Sequence, residues 1–218
     1  MKHLQRDLDQ LKKEILTVGS LVEQAMEKAE RVLSHRDVGL AKEVMLGDNE
    51  IDRREVEVEE NCLKILALHQ PVAADLRFII AVLKVNNDLE RVGDLTKNMA
   101  RRAASLVEGP ALECAPELNR MAGETRKMLS MSLDSLVGTD VVLARKVLDM
   151  DDRIDEANRD MFRHVRDALV ENKEDVDRGI QAISISRNLE RIGDLATNIA
   201  EDVIFMVEGE LVRHPSLY

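Results

Sequence analysis

A seven-residue string occurs twice in the chain at an offset of 100: Leu89-Glu90-Arg91-Val92-Gly93-Asp94-Leu95 returns as Leu189-Glu190-Arg191-Ile192-Gly193-Asp194-Leu195. The match runs on through Asn98/Asn198 and Ala100/Ala200 to Val107-Glu108-Gly109 and Val207-Glu208-Gly209, without an insertion. Order, spacing and identity kept together over that length mark a tandem duplication. A second echo pairs Asp48, Ile51 and Asp52 with Asp151, Ile154 and Asp155 at an offset of 103. The small change of offset puts the extra residues in a connection between the two elements. Whatever fold one half adopts, the other must adopt as well.

Each half reads as three helices. Leu4, Leu8, Leu11, Ile15, Val18, Val22, Ala25, Ala29 and Val32 alternate steps of four and three, a sustained coiled-coil-like stripe. Asp37 opens a second helix to about Leu68, with Val44, Ile51, Val58 and Ile65 one heptad apart. His69-Gln70-Pro71 breaks it; His69 reads as a capping residue, and Pro71 suits the first turn of a third helix to about Glu108. Gly109 and Pro110 stop that helix, and Ala111–Pro116 links the halves. The second half repeats the pattern at Glu117–Leu136, Asp140–Val170 and Asp175–Glu208, with Gly138 and Asn172 near the breaks. Aromatic residues make up only 2 %, and ten Gly and four Pro leave few turns. That composition argues against a sheet, whose strands favour aromatic and β-branched residues. The expected fold is all-α, a tandem repeat of two three-helix bundles with six long helices and pseudo-twofold symmetry. The expected units are residues 1–109 and 112–209, with a tail at 210–218. Helices of about 30 residues span about 45 Å.

The carboxylates fall where a plain bundle would not put them. On the third helix the apolar stripe Leu76, Ile80 and Leu83 continues by heptad steps to Asn87, Glu90 and Asp94. On the sixth, Ile180 and Ile183 lead to Arg187, Glu190 and Asp194. Asp48 and Glu55 alternate with Val44, Ile51 and Val58, and Asp151 and Asn158 sit among Val147, Ile154 and Met161. Both stripes therefore predict an inner face that turns from apolar to acidic midway. Two acids four residues apart share a helix face and repel, and burying them unpaired costs several kcal/mol. A cation relieves both. Asp48, Asp52, Glu90 and Asp94 are expected to converge on one cation-binding surface, with Asp151, Asp155, Glu190 and Asp194 as its twin. Carboxylate oxygens suit Mg, Mn, Ca or iron, whereas zinc more often recruits His or Cys. The competing structural reading has Arg91, Arg101, Arg187 or Arg191 neutralise the acids. Gly93 and Gly193 lie inside the motifs despite costing about 1 kcal/mol against Ala in a helix, which fits close helix approach or access for a ligand.

Other function classes find little support. With 42 Asp+Glu against 31 Lys+Arg the net charge is −11, the wrong sign for a nucleic-acid-binding face. Cys62 and Cys114 form no CxxC, so neither a thiolate zinc site nor a disulfide framework is expected. The longest stretch free of Asp, Glu, Lys and Arg is the ten residues Ile65–Ala74, half of a membrane span. Met1–Asp7 has no apolar run behind it and is not read as a signal peptide, so a cytoplasmic protein is expected. A di-iron carboxylate bundle carries Glu-x-x-His; none of His3, His35, His69, His164 or His214 has a Glu three residues before it. P-loop, dinucleotide-binding and Gly-x-Ser-x-Gly patterns are missing. Met121, Met128 and Met131 read as core filler.

Leu89–Asp94, Asn188–Asp194 and the run Ala196–Phe205 that follows resemble the paired signatures of the bacterial PhoU family, and Gln70–Arg77 is similar to it too. The likeness covers essentially the whole chain. It implies a cytoplasmic accessory of the high-affinity phosphate ABC transporter and a negative regulator of the phosphate regulon. Such a protein is no enzyme; it acts by contact with the transporter's ATPase subunit and the sensor histidine kinase, commonly as a homodimer. In some members the E/D-x-x-x-D motifs, here Glu90/Asp94 and Glu190/Asp194, bind metal clusters. Iron, zinc, manganese and magnesium are the candidate ions. The alternatives are a metal-dependent carboxylate-bundle enzyme and a purely structural helical dimer.

Overall fold

The computed structural model describes residues 2–110, 112, 114–171 and 176–210. Among them the order is α1 (Lys2–His35), α2 (Val38–His69), α3 (Ala73–Val107), α4 (Ala115–Gly138), α5 (Val141–Leu148), α6 (Asp151–Glu171) and α7 (Val176–Glu208), with no strand. The stripe predicted on α1 is its buried face, from Leu8 through Ile15, Val18 and Val22 to Val32. Helix α2 stops at Gln70, which turns left-handed (φ 47°) and donates its N–H to the Leu66 carbonyl. Pro71 lies in the connection and α3 starts two residues beyond it. His69 caps nothing: its Nε2 meets Asp7 Oδ2 at 2.9 Å and ties the end of α2 to α1.

The expected helix over Asp140–Val170 is two segments in line. Asp140 caps α5 by accepting from the Leu143 N–H at 3.0 Å. At Asp149–Met150 the chain tightens, with Met150 N–H bonded to Val147 O, and α6 opens at Asp151. Seven helical segments thus occupy six helical positions. The break expected near Asn172, the start at Asp175 and the tail beyond Glu210 lie outside the described residues.

Helices α1–α3 form one bundle and α4–α7 the other; α3 against α7 is the most extensive contact between helices, and α1 meets α4 beside it. The α3–α7 pair is antiparallel. Gly109, just past the end of α3, lies against the Arg178 guanidinium of α7, and Gly209 lies against that of Arg77. Between the ends, Lys84 Nζ binds Asp202 Oδ1 at 3.0 Å and Arg102 donates to Gln181 Oε1 at 2.8 Å. Contacts at one end recur at the other with the helices exchanged, so the pseudo-twofold axis passes through the middle of the pair. There the two motif copies face each other.

The inner face of α3 differs in phase from the expected one. Ile79, Val82, Val85, Leu89, Val92 and Met99 are fully buried, whereas Leu76 is 39 % exposed and Ile80 and Leu83 are half-buried. On α7 the buried residues include Ala182, Ile185, Leu189, Ile192 and Ile199, and Ile180 is 51 % exposed. Both helices are packed on three sides, so apolar residues occupy two stripes, and the one that leads to the acids is the open side. Glu90, Asp94, Glu190 and Asp194 therefore line a surface and not a sealed interior. On α2 the expected seam holds: Val44, Ile51 and Val58 are buried, and Asp48 with them at 3 % exposure.

Candidate metal centre and the groove between the repeats

Close packing of α2 on α3 brings Asp48 beside the Gly93 motif, and α6 on α7 does the same for Asp151 and Gly193. A Cβ on Gly93 would stand 3.3 Å from Ile51 Cδ1 and 3.5 Å from Asp48 Oδ1; one on Gly193 would stand 3.4 Å from Ile154 Cγ2 and 3.8 Å from Asp151 Oδ1. The glycines set the helix spacing and leave a cradle over which the α2 and α6 carboxylates reach the motifs. Asp48 is buried, Glu90 half-buried, and Asp52 and Asp94 exposed.

The first cluster already holds a cation. Lys97, one turn beyond Asp94, hydrogen-bonds the Asp48 carboxylate and meets Asp94 Oδ1 at 3.2 Å. The bond to Asp48 raises the Lys97 pKa, against the opposing effect of burial. Burial and then the Asp48 charge still push Asp52 up, and burial and then Asp94 push Glu90 up. The arginines weighed from the sequence are engaged elsewhere in this repeat: Arg91 with Asp88 at 3.6 Å and Arg101 with Asn98.

The second cluster is built from the same backbone but has no lysine. Thr197 stands where Lys97 does, and Glu201 where Arg101 does. Thr197 turns its hydroxyl to the Asp194 carbonyl at 2.6 Å. Asp151, Asp155 and Asp194 each offer a carboxylate oxygen, and these all lie within 4.8 Å of one another; no other such group of acids, His or Cys occurs among the described residues. Burial, followed by the charges of Asp194 and Asp155, pushes Asp151 up to about 6. Glu190 rises through burial and then Asp194, and Asp194 through burial and then Asp155, partly offset by Arg191. Arg187 stacks 4.9 Å over the Phe162 ring. A cation held at about 2.0–2.6 Å from oxygen ligands spans separations of this size, so the three converging hard oxygens fit such an ion. In the first cluster the lysine ammonium stands in for it.

Across the axis the motifs enclose a groove of about 380 Å³, lined by Arg91, Asp94, Leu95 and Asn98 and by their equivalents Arg191, Asp194, Leu195 and Asn198. Each aspartate thus borders both its own cluster and the shared groove. Two supporting contacts also escaped the sequence reading: Asn86 donates to the Glu55 carbonyl at 2.9 Å, and Ser186 donates to Asn158 Oδ1 at 2.7 Å at the equivalent place. The signal for Lys97 was present in the repeat itself, as the one basic-to-neutral exchange beside the motif.

Comparison with known proteins places this architecture. The PhoU domain matches twice, over residues 15–103 and 118–203. The chain is 37 % identical to the "Phosphate-specific transport system accessory protein PhoU homolog" of Aquifex aeolicus over 96 % of its own length and 95 % of that protein's. It is 29 % identical to the Escherichia coli "Phosphate-specific transport system accessory protein PhoU", over 95 % and 86 %. The crystal structure of PhoU from Pseudomonas aeruginosa superposes with a TM-score of 0.92 at 36 % identity, covering 94 % of this chain and 99 % of that one. The Streptococcus pneumoniae phosphate transport system regulatory protein PhoU follows with 0.87 at 28 % identity, over 96 % and 99 %. The duplicated bundle, its paired acidic motifs and these matches along both halves make the chain a member of the PhoU family.

Proposed function

We propose that the protein is an accessory of the high-affinity phosphate ABC transporter and a negative regulator of the phosphate regulon. It works in the cytoplasm as a homodimeric adaptor, touching the transporter's ATPase subunit and the sensor histidine kinase, and turns over no substrate. The observation that carries this reading is the PhoU match across both repeats, joined by relatives named as transport accessories over nearly the whole chain. No described helix is long and apolar enough to cross a membrane, so contact with the transporter falls to surfaces of the bundle. The open acidic face of α3 and α7 is one such surface. Two quasi-equivalent patches on one body raise avidity when both are engaged. The carboxylates of that face bind a hard cation such as Mn, Mg or iron, the reading favoured by the Asp151–Asp155–Asp194 cluster.

A deletion strain tests the regulatory role. Phosphate-regulon expression should rise in phosphate-rich medium and return to its basal level when the chain is supplied. Unchanged expression in the deletion strain overturns the reading. The tagged chain should also retain the ATPase subunit and the kinase from detergent-solubilised membranes.

A further inference from the structure

We propose that Lys97 is a built-in counter-ion which closes the first acidic site to metal, so that each chain takes a single hard divalent cation, in the second repeat. The inference rests on the cation reading above and adds to it which site is used and how many ions are held. The two sites share their frame: a glycine under the carboxylates, an aspartate from the preceding helix position, and a glutamate–aspartate pair on the motif helix. They differ in what neutralises it. In the first, the Lys97 ammonium lies between the Asp48 and Asp94 carboxylates, at the place a metal ion would hold. An ion entering there must displace a tethered group of like charge whose local concentration is fixed by the helix.

In the second repeat Thr197 has no charge to offer and Glu201 replaces Arg101. Two positive side chains beside the first motif thus become one neutral and one negative side chain beside the second. Among the described residues the one ion pair of Asp155 is with Arg159, at 4.0 Å and at the margin of such a pair, and Arg191 acts on Glu190 and Asp194 through its charge. The equivalent carboxylates therefore hold a cation in one repeat and converge without a lysine in the other. This internal comparison, in addition to the acid cluster itself, is what supports a cation as the group the second site takes.

Binding stoichiometry tests the proposal, measured with Mn2+ on the full-length protein by equilibrium dialysis and electron paramagnetic resonance. The wild type should bind one ion per chain. Asp194→Asn should weaken that site at least tenfold, and Thr197→Lys should abolish it by installing the missing ammonium. Lys97→Thr should bind two ions and regain, on adding Mn2+, the thermal stability it lacks without metal. Lys97→Arg, which keeps the charge, should still bind one. A wild type that binds two ions overturns the asymmetry while leaving the cation reading intact; one that binds none overturns both. A folded Lys97→Thr that still binds one ion removes Lys97 from the argument. Phosphate-regulon expression is read separately, so failure of these counts is distinguishable from failure of the accessory role.

Discussion

Asp151 is the residue at which charge, burial and stability can be worked through. Its carboxyl is lifted from 3.8 to about 6, by burial first and then by Asp194 and Asp155. A shift of two units corresponds to about 3 kcal/mol at about 1.4 kcal/mol each; screening at this half-buried site leaves about 1–3 kcal/mol. One opposing effect exists. Asp151 opens α6, and a negative charge at a helix N-terminus is favoured by about 0.3–1 kcal/mol, so the penalty wins. The sign follows from the raised value. Below about pH 4 the carboxyl is protonated in both folded and unfolded chains and its contribution to stability is complete; it is lost as pH rises through about 6. Asp151→Asn mimics the protonated acid at every pH. In metal-free buffer with chelator, the variant should melt with the wild type at pH 4 and above it at pH 7.5. For a chain of this size the gap is about 2–10 °C, opening between pH 4 and 6. Added Mn2+ should close it, since binding at one hundred times Kd is worth about 2.7 kcal/mol to the wild type. Calorimetry across the pH range checks this. A gap that is absent at pH 7.5, or equally large at pH 4, refutes the reasoning.

Lys97→Met removes the ammonium from Asp48, leaving a buried carboxylate unpaired, and should cost about 1–3 kcal/mol in urea unfolding; an unchanged midpoint means the pair holds nothing. Leu89→Ala, on the buried stripe of α3, should cost about 2–5 kcal/mol, and Leu76→Ala, on the open side, less than about 1 kcal/mol. The reverse order would restore the phase expected from the sequence. The Cys62 thiol is pushed up to about 12 by burial, so iodoacetamide should spare it in the native protein at pH 8 and label it in denaturant. Peptide mass mapping distinguishes it from Cys114.

The duplication made the fold legible. Once Leu89–Leu95 and Leu189–Leu195 are recognised as copies, the helix order of each half and the pseudo-twofold relation are constrained together, whereas the antiparallel meeting of α3 with α7 is visible only in the structure. The stripe on α1 and the seam on α2 have the expected phase, with Ile15, Val22, Val44 and Ile51 buried. Helices α3 and α7, which make the most extensive interhelical contact and also pack within their own bundles, carry more than one apolar stripe. Heptad steps from Leu76 or Ile180 then follow the wrong one. The break at Asp149–Met150 was hidden for a different reason: a tightened turn there needs neither Gly nor Pro, only the change from i−4 to i−3 bonding seen at Met150.

The twin sites show how a duplication can conceal what it reveals. Matching residues drew attention to Glu90, Asp94, Glu190 and Asp194, but the chemistry of the two clusters is decided by the positions that do not match. A lysine one turn past the motif meets the Asp48 and Asp94 carboxylates in the first copy; the second copy has no such ammonium, and burial with the neighbouring acids lifts Asp151 to about 6. Gly93 and Gly193 sit alike in the two bundles, each with the isoleucine and the aspartate of the neighbouring helix against the place a Cβ would take. At 97 the lysine reaches the buried Asp48, whereas at 197 the threonine hydroxyl turns back to the Asp194 carbonyl of its own helix. In this chain the difference in charge between the halves lies just past the repeated motif, where Lys97 is matched by Thr197 and Arg101 by Glu201.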